Sequence, residues 1–574
     1  MPQRYGEAPV VTTLPTSTRT GASAVADMLA GYDVTHVFMV PAILRRTFAE
    51  LERRHPEIAR IGTHGEKAAA YMADGYARAS GRPGVCAAQA VGALNLCAGL
   101  REPFLARSPV IAFTGGRLPV TRFRQVYQEA DDLPAFDQVT KLNASIDDVR
   151  RFPDMIRQAF RVATTGSPGP VHIQVQGNEG QLDSDFDDLD ALVEPEFASV
   201  PPFRPRPDDE RVRVALAVLQ AAERPVLIAG GGVRASRAGA ELVALAEALN
   251  IPVATSGNGR DTIPGTHPLC VGVVGTYSRE TANRVVNRAD VVCFVGTATG
   301  GMTTHFWSVP KIGAPAIQID IDPEQLGRNY PLRAGVLGDA RVTLARMLEL
   351  TDREAAPSRA AWLDEIEAIT SEWRERYEGV LASDDLPLRP ERICRALTEH
   401  LPDDAIVLVD TGHAGMWMSQ FFDLTTPTQS YLRSCGHLGW AFCAGLGAKC
   451  AAPDRHVAAF IGDGGLYYHL GEIETAARWG INTVTVVNNN GGGNQSKRGF
   501  DWAYDGDSTA RSRELWAYTE VDLAAVAERL GALGIVVEKP TEFALALERA
   551  FEADRPVVID VRTDIEVHAP RPVT

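Results

Sequence analysis

The run Val457-Ala458-Ala459-Phe460-Ile461-Gly462-Asp463-Gly464-Gly465, read with Thr483-Val484-Thr485-Val486-Val487-Asn488-Asn489-Asn490-Gly491-Gly492-Gly493, decides the fold. Each half begins as a short apolar or β-branched stretch, the pattern of a strand buried on both faces of a parallel sheet. The residues between them read as one helix, so the pair is strand, helix, strand. Asp463 and Asn490, 27 positions apart (490 − 463), then fall just past the carboxyl ends of two strands. That edge is where open α/β sheets bind ligands. A carboxylate and an amide oxygen placed there suit a hard cation such as Mg2+, which takes oxygen ligands and commonly shares a phosphate. Gly462, Gly464 and Gly465 let the backbone approach a diphosphate closely, and the first helical turn offers it N–H groups.

Working outward, apolar runs bounded by turns alternate with Ala-rich helical stretches three times over. This predicts an α/β chain with three doubly wound parallel-sheet domains. The first, residues 18–180, has strands at 34–40, 85–88, 110–114 and 171–175 and a helix over Glu66–Ser80. Residues 181–210 carry an acidic run (Asp183, Asp185, Asp187, Asp188, Asp190) and a proline cluster (Pro201, Pro202, Pro205, Pro207), as expected of a linker crossing the surface. A central domain over 211–350 has strands at 226–229, 253–254, 291–295 and 316–321. Charged residues 351–389 read as a solvated helical linker. The last domain, 390–574, has strands at 405–410, 457–461, 483–488 and 557–561.

At 574 residues the chain is too long for one core. With 45% hydrophobic and 23% charged residues it reads as an ordinary soluble enzyme rather than a disordered chain. A net charge of −16 argues against a nucleic-acid or anionic-membrane surface. Eight scattered cysteines without a Cys-x-x-Cys pair suggest free thiols in a reducing cytoplasm. Residues 1–17 form an expected flexible tail and lack the apolar core of a signal peptide. No apolar run reaches the ~18 residues of a membrane span.

A second motif is His64-Gly65-Glu66-Lys67-Ala68-Ala69-Ala70-Tyr71-Met72-Ala73-Asp74-Gly75-Tyr76-Ala77-Arg78. From Glu66 onward it resembles the Glu-x-x-Ala-x-x-Met-Ala-x-Gly-Tyr-Ala-Arg pattern of thiamine diphosphate-dependent enzymes. The Gly462-Asp463-Gly464…Asn489-Asn490 spacing resembles their diphosphate signature. Over roughly residues 18 to 565 the chain is similar to the acetolactate synthase-like (acetohydroxyacid synthase large-subunit-like) branch.

The resemblance implies thiamine diphosphate and Mg2+ as cofactors. It places Glu66 against the aminopyrimidine ring, where a carboxyl in an apolar pocket has a raised pKa and can share a proton with a ring nitrogen. It makes Asp463 and Asn490 side-chain ligands of the metal and the Gly492 carbonyl a third. Gly462, Gly464 and Gly465 lie along the diphosphate, as do Gly412 and His413 in the loop after strand 405–410. In Ser434-Cys435-Gly436-His437-Leu438-Gly439-Trp440, the Gly436 carbonyl would accept from the aminopyrimidine. Leu438, 25 positions before Asp463 (463 − 438), would be the apolar wedge that bends the cofactor, or else a core leucine.

On the substrate side, Tyr127-Gln128-Glu129-Ala130-Asp131 resembles Phe-Gln-Glu-x-Asp, whose glutamine faces the reacting centre. Lys141, His437, Tyr468, His469 and Gln495 are further candidates. Each histidine can move a proton near pH 7 and reads equally well as a structural one. The family assembles each centre from the first domain of one subunit and the last of another, which implies a homodimer or homotetramer.

Three loops depart from the family. Met39-Val40-Pro41-Ala42-Ile43 lacks both glycines of Gly-x-Pro-Gly. Ala88-Gln89-Ala90-Val91-Gly92-Ala93-Leu94-Asn95 replaces Thr-Ser-Gly-Pro-Gly-Ala-Thr-Asn beside the substrate. Gly296-Thr297-Ala298-Thr299-Gly300-Gly301-Met302 lacks both arginines of the flavin segment, so FAD is not expected. Gly230-Gly231-Gly232 is explained by a turn or by a nucleotide. The expected activity is C–C bond formation or cleavage on 2-oxo acids, aldehydes or 2-hydroxy carbonyl compounds. The rivals are a 2-hydroxyacyl-CoA lyase, a 2-oxo acid decarboxylase and a non-catalytic cofactor-binding paralogue.

Overall fold

The computed structural model describes residues 19–180, 185–186, 189–352, 358–507 and 509–573. The tail over 1–17 lies outside them, as do Asp183, Asp187 and Asp188. The chain divides into two compact units, Met1–Pro202 and Phe203–Thr574.

The first unit holds a six-stranded parallel sheet. From edge to edge its strands are Ala59–Gly62, His36–Met39, Gly84–Ala88, Val110–Gly115, Val171–Val175 and Leu142–Ile146. In chain order this is 2-1-3-4-6-5. Helix Glu66–Ser80 starts at the extended Gly65 and stops at Gly81, whose φ of +73° suits a residue without Cβ. Its small face, Ala68, Ala69, Ala70 and Ala73, is fully buried. Gly99 of helix Ala93–Ala106 packs on it so closely that a Cβ there would come within 2.6 Å of the Ala70 methyl.

The second unit holds two more parallel sheets. The central one runs Cys270–Val273, Val253–Thr255, Pro225–Ala229, Val291–Val295, Ala316–Asp320, Leu332–Leu337, or 3-2-1-4-5-6. The last runs Ser430–Arg433, Ile406–Val409, Val457–Gly462, Val484–Asn489, Val557–Arg562, Leu533–Val537. Its order is again 2-1-3-4-6-5, so the first and last sheets share one topology. Buried arginines join the two sheets of this unit. Arg260 donates to the Phe422 carbonyl and to Asp423 at 3.1 Å, and Arg279 donates to the Gln420 carbonyl at 2.9 Å and meets Asp423 at 2.9 Å.

Two linker expectations need correction. Leu189, Ala191, Val193, Phe197 and Ala198 are buried in the core of the first unit rather than crossing its surface. Arg157–Asp190 at 2.8 Å and Arg161–Glu194 at 2.7 Å hold the segment down. Helix Ala360–Leu381 is not solvated all round. Trp362, Ile366, Ile369 and Trp373 form a buried stripe at helical spacing, and the Trp362 indole donates to the Pro225 carbonyl at 3.1 Å. Residues 353–357 lie outside the described chain.

Candidate active site

In the last sheet the strand order reverses between Ile406–Val409 and Val457–Gly462, the switch point at which α/β sheets open a crevice. Asp463 follows the second of these strands and opens the short helix Asp463–Tyr467. Its carboxylate is 3% exposed and held by backbone N–H groups, from Gly464 to Oδ1 at 2.8 Å and from Gly492 to Oδ2 at 3.1 Å. Burial pushes its pKa up to about 6 against the pull of those hydrogen bonds, and the neighbouring Asp560 charge adds to the rise.

The turn beyond strand Val484–Asn489 faces it. Tyr518 N–H donates to the Gly491 carbonyl at 2.8 Å, and Gly493 N–H donates to the Trp516 carbonyl at 2.7 Å. Asn489 is committed to the turn, donating to Asp560 at 2.8 Å and accepting from Gly491 N–H at 3.3 Å. Asn490 is different: its side-chain oxygen is buried and accepts no hydrogen bond among the described residues. A buried carboxylate and a buried orphan amide oxygen at one strand edge are costly alone and suited to a cation.

The glycines divide by role. At Gly462 a Cβ would meet nothing within 4 Å, which leaves space for a ligand. At Gly464 a Cβ would come within 2.7 Å of the Tyr518 hydroxyl, and at Gly465 within 2.5 Å of an Asp410 carboxylate oxygen. Protein packing therefore already requires these two to be glycine. Gly412, at φ +71°, turns the chain into helix His413–Phe421. Both ring nitrogens of His413 are buried and without a hydrogen bond among the described residues, and burial lowers its pKa to about 4.

Loop Ser434–Gly439 is tied back by Gly439 N–H to Asp410 at 2.8 Å and by the Ser434 hydroxyl to the His437 carbonyl at 2.9 Å. Gly436 is exposed with φ +148°, and His437 is half-buried. Leu438 is 44% exposed in the single chain, so it is not packed within this chain's core.

In the first unit, Glu66 begins its helix half-buried, and Oε2 accepts from the Asn95 amide at 3.2 Å. A Cβ on Gly92 would come within 2.3 Å of Oε1, so only glycine at 92 leaves the carboxylate in place. The loop over 89–95 thus supplies two of the immediate neighbours of Glu66. Gln128, at φ +62°, accepts from the Asn178 amide at 3.5 Å in a turn that Glu129 holds by accepting from Phe123 and Val126 N–H. Lys141 is engaged at a helix end. Its ammonium donates to the carbonyls of Val162, Thr165 and Ser167 at 2.6–2.9 Å, closing the end of helix Phe152–Thr164.

Gly230 and Gly232 in the central sheet also have a packing role. A Cβ at Gly230 would come within 2.2 Å of the Gly296 carbonyl oxygen, and one at Gly232 within 2.7 Å of Gly296 Cα. Close contact between the two switch-point loops accounts for both. The structure adds residues that the sequence did not single out: Asp560, Trp516 and Tyr518 all converge on the Asn489–Gly493 turn from distant positions.

Comparison with known proteins decides the family. "Thiamine pyrophosphate enzyme, N-terminal TPP binding domain" matches residues 19–135, the central domain of the same enzymes matches 212–347, and their C-terminal TPP binding domain matches 410–561. The chain belongs to the thiamine pyrophosphate enzymes. Relatives named probable acetolactate synthase large subunit are 31% identical in Methanocaldococcus jannaschii and 30% in Methanococcus aeolicus, each alignment covering 95% of this chain and 92% of the relative. The acetolactate synthase large subunit of Corynebacterium glutamicum is 31% identical over 94% of this chain and 86% of its own. The protein is thus a thiamine diphosphate-dependent, acetolactate synthase-like enzyme with carboligase or lyase chemistry. Among the described residues no helix is long and apolar enough to cross a membrane.

Proposed function

We propose that this thiamine pyrophosphate enzyme is a Mg2+-dependent, flavin-independent carboligase that joins the acyl part of a 2-oxo acid to an acceptor aldehyde or 2-oxo acid. The observation that carries the metal is the buried, orphaned Asn490 oxygen beside the buried Asp463 carboxylate. Among the described residues no three His, Cys, Asp or Glu side chains form a metal cluster. An ion held here therefore depends on the Asn490 amide, the Gly492 carbonyl and diphosphate oxygens, as Mg2+ prefers.

Bound thiamine diphosphate supplies a carbon nucleophile and an electron sink for the loss of CO2. The chain supplies the rest. Glu66 would face the aminopyrimidine nitrogen, and Gly92 and Asn95 keep its carboxylate in place. Leu438 would offer an apolar surface to the cofactor, while Gly412 and His413 would stand by the diphosphate. The missing arginines of the 296–302 segment support independence from flavin. The acetolactate synthase names of the relatives support carboligation over simple decarboxylation. Each centre takes Glu66 from one subunit and Asp463 from another, so the working form is a homo-oligomer.

The test is Glu66→Gln. It removes the carboxyl proton at nearly constant shape, and turnover of pyruvate with an added aldehyde should fall by about 10²–10⁴-fold, the range for a lost acid–base group. Thiamine diphosphate binding, followed by fluorescence quenching, should persist. Unchanged turnover would refute the role of Glu66. A flavin absorption band in the purified protein would refute the reading of residues 296–302.

A further inference from the structure

Asp560 lies on strand Val557–Arg562, beside the strand that ends in the metal turn, and has no exposed surface. Both its oxygens are in use. Oδ1 accepts from the Asn489 amide at 2.8 Å, and Asn489 in turn accepts from Gly491 N–H at 3.3 Å. The chain Asp560–Asn489–Gly491 therefore brackets Asn490 on both sides. Oδ2 accepts from Leu523 N–H at 3.0 Å and meets Arg562 at 3.2 Å. Leu523 opens helix Leu523–Arg529, and the chain just before that helix carries Trp516 and Tyr518 back onto Gly493 and Gly491. One buried carboxylate thus anchors both segments that fix the turn.

From this geometry we infer that Asp560 is a positioning residue for the divalent cation, acting through Asn489 on the placement of Asn490 and Gly492. The inference rests on the Mg2+ reading of Asp463 and Asn490. An ordinary buried carboxylate would support the fold without selecting for the metal. Asp560 instead holds, through one side chain, the turn that presents two of the three protein oxygens assigned to it. Groups that orient metal ligands typically change affinity when removed, by about tenfold to a hundredfold.

The test is Asp560→Asn, whose amide cannot accept at both oxygen positions and so sets a donor against either the Asn489 amide or the Leu523 N–H and Arg562, disrupting the chain at its origin. A second variant, Asn489→Ala, cuts the same chain at its other link. Equilibrium dialysis measures retention of saturating thiamine diphosphate across a MgCl2 series, beside thermal melts followed by circular dichroism. Both variants should melt cooperatively and need about tenfold to a hundredfold more Mg2+ for half-retention. The double variant should be little worse than the worse single, because both break one chain.

Folded variants with the parent's Mg2+ midpoint would overturn the inference, even if their melting temperatures fall. If Asp560→Asn does not fold, the midpoint of Asn489→Ala decides alone. A parent that retains the cofactor equally with and without Mg2+ would overturn the metal reading and this inference with it. A Mg2+-dependent parent with unshifted variants overturns this inference only.

Discussion

His172 has no exposed surface, its ring lies flat on Phe136 with 3.5 Å between centroids, and its nitrogens meet Thr114 and Asn143 at 2.7 Å. Burial lowers its pKa from 6.5 to about 3. Below pH 6.5 the unfolded chain takes the proton and the folded chain does not, so the unfolded state binds more protons. Stability from the neutral ring is complete above pH 6.5 and is lost as the pH falls from 6.5 toward 3, by up to about 1.4 kcal/mol per pH unit. Urea unfolding of the parent and of His172→Gln at pH 7, 6 and 5 should show the parent losing that much more per unit below 6.5. Parallel pH profiles would remove His172 as the cause. At this scale, legibility depended on distance along the chain. Glu66 and Asp463 lie inside local motifs whose spacing carries their roles. Asp560 reaches the metal turn only across a strand pair, so nothing around it in sequence marks it out.

Elements divide by their place in the sheets. The apolar runs mark the four inner strands of each six-stranded sheet, and the six edge strands of these sheets, such as Ala59–Gly62 and Leu332–Leu337, are left unmarked. Inner strands are covered on both faces and are mostly apolar, as in Val291–Val295. Edge strands such as Ala59–Gly62, Leu142–Ile146 and Leu332–Leu337 mix in charged or polar residues, while Cys270–Val273 and Leu533–Val537 are short apolar runs broken by a glycine. The buried segment over 189–200 escaped notice for a related reason, since the acidic and proline-rich residues around it mask its alternate apolar positions. Lys141 shows what an element end demands. Lys141→Met should leave three solvent-exposed carbonyls near the end of helix Phe152–Thr164 without their donor and cost about 0.5–1.5 kcal/mol. The turnover number and KM should not change, because the ammonium is committed to the helix. A lost turnover number with normal thermal stability would return Lys141 to the reacting centre.

For the whole molecule, the proposed sharing of each centre between subunits gives a sharp expectation. Glu66→Gln and Asp463→Ala should each be inactive alone. Unfolded, mixed in equal amounts and refolded together, they should regain about a quarter of parental activity. Half the dimers would then be mixed, and each mixed dimer would hold one intact centre of two. No recovery, with mixed dimers demonstrated by differential tagging, would place Glu66 and Asp463 of one centre on the same chain.

The first and last sheets share the 2-1-3-4-6-5 order, against 3-2-1-4-5-6 in the middle one. Glu66 follows the second strand of its sheet, and Gly436 and Leu438 follow the second strand of theirs. Under the roles proposed above, the two groups assigned to the aminopyrimidine would therefore sit in topologically equivalent loops, so one kind of strand end would be used twice on a single ring.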